Sequence, residues 1–177
     1  MAKTMKIFAL GLLAGIVSLA LMACSSSPAD SGGGTDLSGS SPAASSAGEV
    51  DLSEVMREIS SQVDVPSMLA YDTEDLYPAY GIQAEDVKQS VAQVADDGVR
   101  SDEIVMVEAV DADAAARVKE CLDGRYQSKL AATQSYQPDQ YAIIQQCEVR
   151  QQGNFVTMFV SPDADQMTSI FDAALAS

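Results

Sequence analysis

The side chains in this sequence that could do chemistry are three cysteines, six tyrosines and 26 carboxylates, and there is no histidine. Without imidazole, Ser-His-Asp and Cys-His arrangements and histidine zinc sites are excluded. Paired carboxylates could hydrolyse a glycosidic bond. The sequence has no tryptophan to contact a sugar ring, however, and its acidic residues are scattered along the chain. These residue types predict a protein that is not an enzyme and holds no cofactor.

The charge of the chain excludes another class of function. The 26 acidic residues face 10 basic ones, which gives a net charge of -16. An acidic surface repels nucleic acid and anionic lipid headgroups, and no basic groove with stacking aromatic residues is present. We therefore expect no nucleic-acid partner.

Two Asp-Ala-Asp triplets each follow an apolar run, at Asp111 to Asp113 and at Asp163 to Asp165. Aspartate at a helix N-terminus accepts backbone hydrogen bonds and complements the helix dipole. A calcium loop would require oxygen ligands at later alternating positions, where the first copy has Ala115 and Leu122. The triplets therefore predict helix caps and no metal site.

All six tyrosines fall between residues 71 and 141, and the first three alternate with acidic residues. Tyrosine and arginine are enriched at the residues that dominate binding energy in protein interfaces. The simpler alternative, which we favour, is that the tyrosines pack around a sheet with their hydroxyls outward. The candidate interaction surface consists of Tyr71, Asp72, Glu74, Asp75, Tyr77, Tyr80, Arg125 and Tyr126.

Cys24 ends the apolar segment Ile7 to Ala23, which follows Lys3 and Lys6. This segment resembles a bacterial lipoprotein signal peptide. The resemblance implies cleavage before Cys24 and transfer of diacylglycerol, with acyl chains such as palmitate, to its thiol. An ordinary secretory peptide and an uncleaved membrane helix are the alternatives. We expect a lipid-anchored protein on the extracytoplasmic face of the cell membrane, with membrane lipid as its first partner.

Cys121 and Cys147 would then be the only remaining thiols. An even pair outside the cytoplasm raises the chance of a disulfide. Two buried free cysteines are the alternative, which we favour.

Three regions follow from the change in composition along the chain. Residues 1–23 are the predicted signal peptide, and residues 24–50 combine the lipidated cysteine with a Ser, Gly, Pro and Ala tether that has little to bury. Residues 51–177 are expected to form a single α+β domain. Apolar residues at helical spacing predict a helix from Asp51 to about Val63 and a short one over residues 85–94. The segment between them, residues 68–82, is expected to be irregular.

The rest of the domain is expected to be strand, helix, short helix, strand, strand and helix. Strands are predicted over residues 104–110, 147–151 and 155–160, with the second at a sheet edge. A right-handed crossover would place the first and third strands side by side and parallel. This gives a two-layer domain with about three strands in a mixed sheet, in a ferredoxin-like half-pattern with additional N-terminal helices.

Several short features of this region, in the same order, resemble a family of bacterial lipoproteins catalogued as domain of unknown function 4358. They are Asp102-Glu103-Ile104, Arg125, Tyr136, Pro138, Tyr141, and Gly153-Asn154 before the final strand. The resemblance covers about residues 76–175. It implies a surface-anchored protein with no assigned activity and no catalytic residue.

Taken together, these features predict a non-enzymatic interaction module that binds an unidentified envelope protein. The alternative is a small-ligand or cation-binding accessory lipoprotein that uses its acidic, tyrosine-rich segment.

Overall fold

A computed structural model of the protein describes residues 49–177. The predicted signal peptide, Cys24 and the tether up to residue 48 lie outside these residues. Residues 49–177 contain five α-helices: α1 (Leu52–Gln62), α2 (Leu76–Tyr80), α3 (Ala112–Thr133), α4 (Pro138–Ile144) and α5 (Ala164–Leu175). The same residues contain five strands: β1 (Met68–Tyr71), β2 (Val87–Ala95), β3 (Glu103–Ala109), β4 (Val149–Gln152) and β5 (Phe155–Val160). The α+β class is therefore confirmed. Over the described range, no helix is long and apolar enough to cross a membrane.

The five strands form one sheet in the order β1-β2-β3-β5-β4, and every neighbouring pair is antiparallel. Side chains of β3 and β5 are buried on both faces of the sheet. This agrees with the expected central position of these apolar strands. β4 forms one edge, as predicted, and β1 forms the other.

The predicted parallel pairing of the two central strands is wrong. Glu103 lies opposite Val160 and Glu108 lies opposite Phe155, which is an antiparallel register. The crossover through α3 and α4 instead connects β3 to β4, which run in the same direction with β5 between them. Because a hairpin joins β4 to β5, β5 lies between β3 and β4 and runs antiparallel to both of them.

The predicted helix over residues 85–94 is also wrong, because Val87–Ala95 forms β2. Its apolar residues Val87, Val91 and Val94 are spaced as on a helix. In the structure most residues of this strand are only half-buried, so burial does not impose a strict alternation. The segment expected to be irregular contains two short elements, β1 and α2, the latter ending at Gly81 with a φ of 81°.

Helices cover both faces of the sheet, so the domain has three layers and not the predicted two. Phe171 of α5 packs edge-on against Phe155 and Phe159, and α1 lies beside α5 on this face. Arg125 of α3 reaches the opposite face, where Glu103 points. The central strands are apolar on both sides because both sides are packed.

Asp51 and Asp111 both cap their helices, and the cap at Asp111 was predicted. The Asp51 carboxylate accepts a hydrogen bond from the Ser53 amide, and the Asp111 carboxylate accepts one from the Ala114 amide. Asp163 occupies the same position before α5, but its side chain makes no capping hydrogen bond. The side-chain cap is thus confirmed for the first triplet alone.

Candidate functional site

A carboxylate lies in the core beneath α3. Glu103 begins β3 on the same face of the strand as Val105 and Val107, and it is fully buried. Burial of an ionised carboxylate is costly unless cations and hydrogen bonds compensate it. The surroundings of Glu103 supply both.

Two cations of α3 meet this carboxylate. Arg125 donates to both oxygens, through Nε to Oε1 at 3.0 Å and through a terminal nitrogen to Oε2 at 3.1 Å. Lys129 Nζ lies 2.5 Å from Oε2. The two residues are four apart, so they lie on one face of the helix. Since α3 runs back across the sheet after β3 ends, this face returns to the start of the strand.

Two tyrosine rings lie beside these charged residues: Tyr80 contacts Arg125, and Tyr71 packs against Tyr80. The Arg125 guanidinium carbon lies 5.8 Å from the centre of the Tyr80 ring, within the range of a cation–π contact. Tyr71 of β1 packs edge-on against Tyr80, with ring centres 6.0 Å apart. The Tyr80 hydroxyl is buried and makes no hydrogen bond of good geometry. We call Tyr80, Glu103, Arg125 and Lys129 the ionic cluster.

The protonation states of the ionic cluster follow from these contacts. Burial raises the pKa of Glu103, but the hydrogen bond from Arg125 and the charge of Lys129 lower it by more, so its pKa lies below the ordinary value. Burial, followed by the charge of Glu103, raises the pKa of the Tyr80 hydroxyl well above its ordinary value. At neutral pH Glu103 is ionised and Tyr80 is neutral, which suits an ionic contact between Glu103 and the two cations.

The acidic residues of the candidate surface form a turn above this cluster. The Asp72 carboxylate accepts hydrogen bonds from the amides of Glu74 and Asp75, and the Asp75 carboxylate accepts one from the Asp72 amide. These bonds hold the turn between β1 and α2 and expose Tyr77, whose surface is 59% accessible. We call Tyr71, Asp72, Glu74, Asp75 and Tyr77 the β1–α2 surface.

The structure thus brings together part of the predicted surface. Tyr71, Tyr80 and Arg125 are in contact, although Tyr80 is buried and cannot present its ring to a partner. Tyr126 points elsewhere, and its hydroxyl donates to the Ile144 carbonyl. Within residues 49–177, no three His, Cys, Asp or Glu side chains are arranged to hold a metal ion.

Both cysteines of the domain are free thiols in the structure. Cys121 lies beside Gly81, whereas the Cys147 sulfur donates weakly to the carbonyls of Ile143 and Ser161. Burial raises the pKa of both thiols. Thiol counting on denatured, non-reduced protein is the measurement that separates the two predicted states.

Glu103 and Lys129 were not among the candidate surface residues. A signal for them is present in the sequence, because Glu103 shares its strand face with Val105 and Val107 and is followed by Arg125 and Lys129 at helical spacing. A lone carboxylate on an apolar face requires a cation, and a pair four residues apart on the next helix supplies it.

Comparison with known proteins places the domain in a family. The model of the family described as "Domain of unknown function (DUF4358)" matches residues 61–161, which is more than half of the chain. No curated protein and no solved structure matches the chain. The matched segment runs from the end of α1 to the end of β5, so it contains the whole sheet and the ionic cluster. The chain belongs to the DUF4358 family.

Proposed function

We propose that the protein is a lipid-anchored envelope protein whose domain is a non-enzymatic interaction module for a protein partner. Cys24 would carry the lipid and hold the domain on the extracytoplasmic face of the cell membrane. The observation that carries the binding role is the exposed Tyr77, presented by a hydrogen-bonded acidic turn. A rigid aromatic side chain loses little conformational entropy when it is buried by a partner.

Charge supports a basic partner surface. Residues 49–177 contain 24 of the acidic residues and eight of the basic ones. Each of these eight cations lies within ion-pair distance of a carboxylate of the same chain. The remaining carboxylates give the outer surface a negative potential, which speeds association with a positively charged partner.

The anchor is tested by fractionating cells that express the full chain. We expect the wild-type protein in the membrane fraction and Cys24→Ala in the soluble fraction, because the thioether to the lipid cannot form without the thiol. Cys121→Ala is the matched control and should stay with the membrane. If Cys24→Ala remained in the membrane fraction, the lipid anchor would be excluded.

The binding role is tested by crosslinking in intact cells followed by purification of the full chain. We expect a discrete partner that is lost when Tyr77→Ala is combined with Glu74→Lys. Tyr136→Ala is the matched control, since Tyr136 is 88% exposed on the turn between α3 and α4. Equal recovery with both variants would show that the β1–α2 surface does not bind the partner.

A further inference from the structure

We propose that the groove between α1 and α5 binds an amphipathic helix of another protein, with Lys or Arg beside its apolar stripe. The groove has a volume of about 590 Å³ and lies on the sheet face opposite α3. The groove is therefore separate from the β1–α2 surface, and the proposal for the groove does not depend on whether that surface binds a partner.

The two helices form a groove because they run antiparallel on the same face. Gln166 near the start of α5 donates from its side-chain amide to the backbone carbonyl of Gln62 at the end of α1, at 3.1 Å. The α5 residues at positions 166, 169, 170, 173 and 174 form one helical stripe that lines the groove, and Ser177, just beyond the end of the helix, continues it. The 11 residues of α1 give a length of about 16 Å, enough for about three turns of a bound helix.

The floor and walls suit a helix more than a compact polar ligand. Val55 and Ile170 form an apolar floor, and Ala173 and Ala174 contribute small side chains. Small residues allow another backbone to approach closely, and apolar positions at i, i+4 and i+7 of an incoming helix would reach such a floor.

The rim determines the charge of the partner. Glu54 and Glu58, one helical turn apart, lie along the α1 side, and none of the ten described residues that line the groove is basic. Arg57 pairs with Glu54, but both side chains are mostly exposed, so this pair is weak. Glu58 accepts a hydrogen bond from the neutral Gln62 amide. A cationic helix is thus favoured. A second copy of the chain or an anionic membrane would bring negative charge against these glutamates.

The test uses the full chain in nanodiscs of zwitterionic lipid, with empty nanodiscs as the blank. The probe is a fluorescent 14-residue peptide with a Leu and Ala stripe flanked by Lys, and binding is measured by anisotropy. Two control peptides have the same composition in scrambled order or Glu in place of Lys. We expect saturable binding of the first peptide alone.

Variants of the chain locate the binding. Glu58→Lys reverses a rim charge and Ala173→Trp fills the groove at an exposed position, so each should weaken binding at least about tenfold. Glu120→Lys makes the same charge change on exposed α3 and should alter affinity by less than about twofold. Tyr77→Ala should leave the affinity unchanged, which separates this groove from the β1–α2 surface.

Four results would overturn the proposal. Binding of the scrambled peptide with equal affinity, or equal weakening by Glu120→Lys, would show a general attraction to an acidic protein. A dimer in light scattering that Ala173→Trp abolishes would assign the groove to a second copy. Tight binding of the full chain to anionic vesicles that is lost in Ala173→Trp would assign it to a membrane.

Discussion

The same local arrangement, a strand followed by an Asp-Ala-Asp triplet and a helix, occurs twice, and its two helices cover opposite faces of the sheet. The contacts that hold the two helices on the sheet differ. On one face, α3 follows β3 and adds the ionic contact of Arg125 and Lys129 with Glu103 to the packing of its buried apolar residues. On the other face, α5 follows β5 and is fixed by Phe171. A buried ionic contact is demanding in geometry, whereas aromatic packing contributes more net stability. Both helices therefore stabilise the domain by apolar packing, and α3 carries in addition an ionic contact that requires a defined position.

Removing the aromatic ring from the α5 face should have the largest effect. Phe171 is 2% exposed and contacts two other rings, so Phe171→Ala should lower the free energy of unfolding by about 4 kcal/mol through lost burial and a cavity. Urea unfolding followed by circular dichroism measures this. Phe171→Leu keeps most of the volume and should cost less than half as much. A loss below about 1 kcal/mol for Phe171→Ala would place the stability elsewhere.

Neutralising the carboxylate on the α3 face should have the next largest effect. Glu103→Gln leaves Arg125 and Lys129 without a buried counter-charge, and we expect a loss of about 3 kcal/mol in the same unfolding assay. Glu108→Gln is the matched control on the same strand. Glu108 contacts Lys88, whose side chain is 47% exposed, and this change should cost less than about 1 kcal/mol. Equal losses would show that the position of Glu103 in the core has no special role.

Acid should reduce the difference in unfolding free energy between the wild-type protein and Glu103→Gln. The pKa of Glu103 is lower in the folded state than its ordinary value of 4.5, so the unfolded state binds its proton first as the pH falls. The stabilisation by ionised Glu103 is complete above pH 4.5. As the pH falls from there through the pKa of Glu103 in the folded state, this stabilisation declines by up to about 1.4 kcal/mol per pH unit. Unfolding free energies at pH 7 and pH 3 should therefore differ less between the two proteins at pH 3. A difference that stays constant or grows would contradict the lowered pKa.

The elements with strong burial could be predicted from sequence. The α1 helix, the central strands β3 and β5, the hairpin that joins β4 to β5, and the α+β class all follow from apolar patterns and caps. The strand β2 could not be predicted, because its valines at residues 87, 91 and 94 fit a helix and its half-buried residues impose no alternation. Its two neighbours in the sheet, β1 and β3, override the local pattern by pairing with its backbone.

The candidate site was predicted in part for a similar reason. Composition identified the acidic tyrosine segment, and the structure places Tyr71, Tyr80 and Arg125 in contact. Their burial depends on which face of the sheet α3 covers, and that face follows from the position of β5 between β3 and β4. The wrong strand pairing therefore concealed Glu103 as the centre of the cluster.

The smallest expected effects on unfolding free energy are at the two Asp-Ala-Asp triplets, where Asp111 precedes α3 and Asp163 precedes α5. Asp111 accepts a hydrogen bond from the Ala114 amide at 2.7 Å, so Asp111→Ala should cost about 1 kcal/mol of unfolding free energy. Asp163 makes no such bond, and Asp163→Ala should cost about 0.3 kcal/mol, because only the attraction between its charge and the helix dipole is lost. Urea unfolding of both variants at low and high salt separates the contribution of the hydrogen bond from that of the attraction between charge and helix dipole. The Asp163 effect should vanish at high salt, and the Asp111 effect should mostly remain. Equal, salt-sensitive losses at both positions would show that the triplets act through charge, and the hydrogen bond at Asp111 would then contribute little.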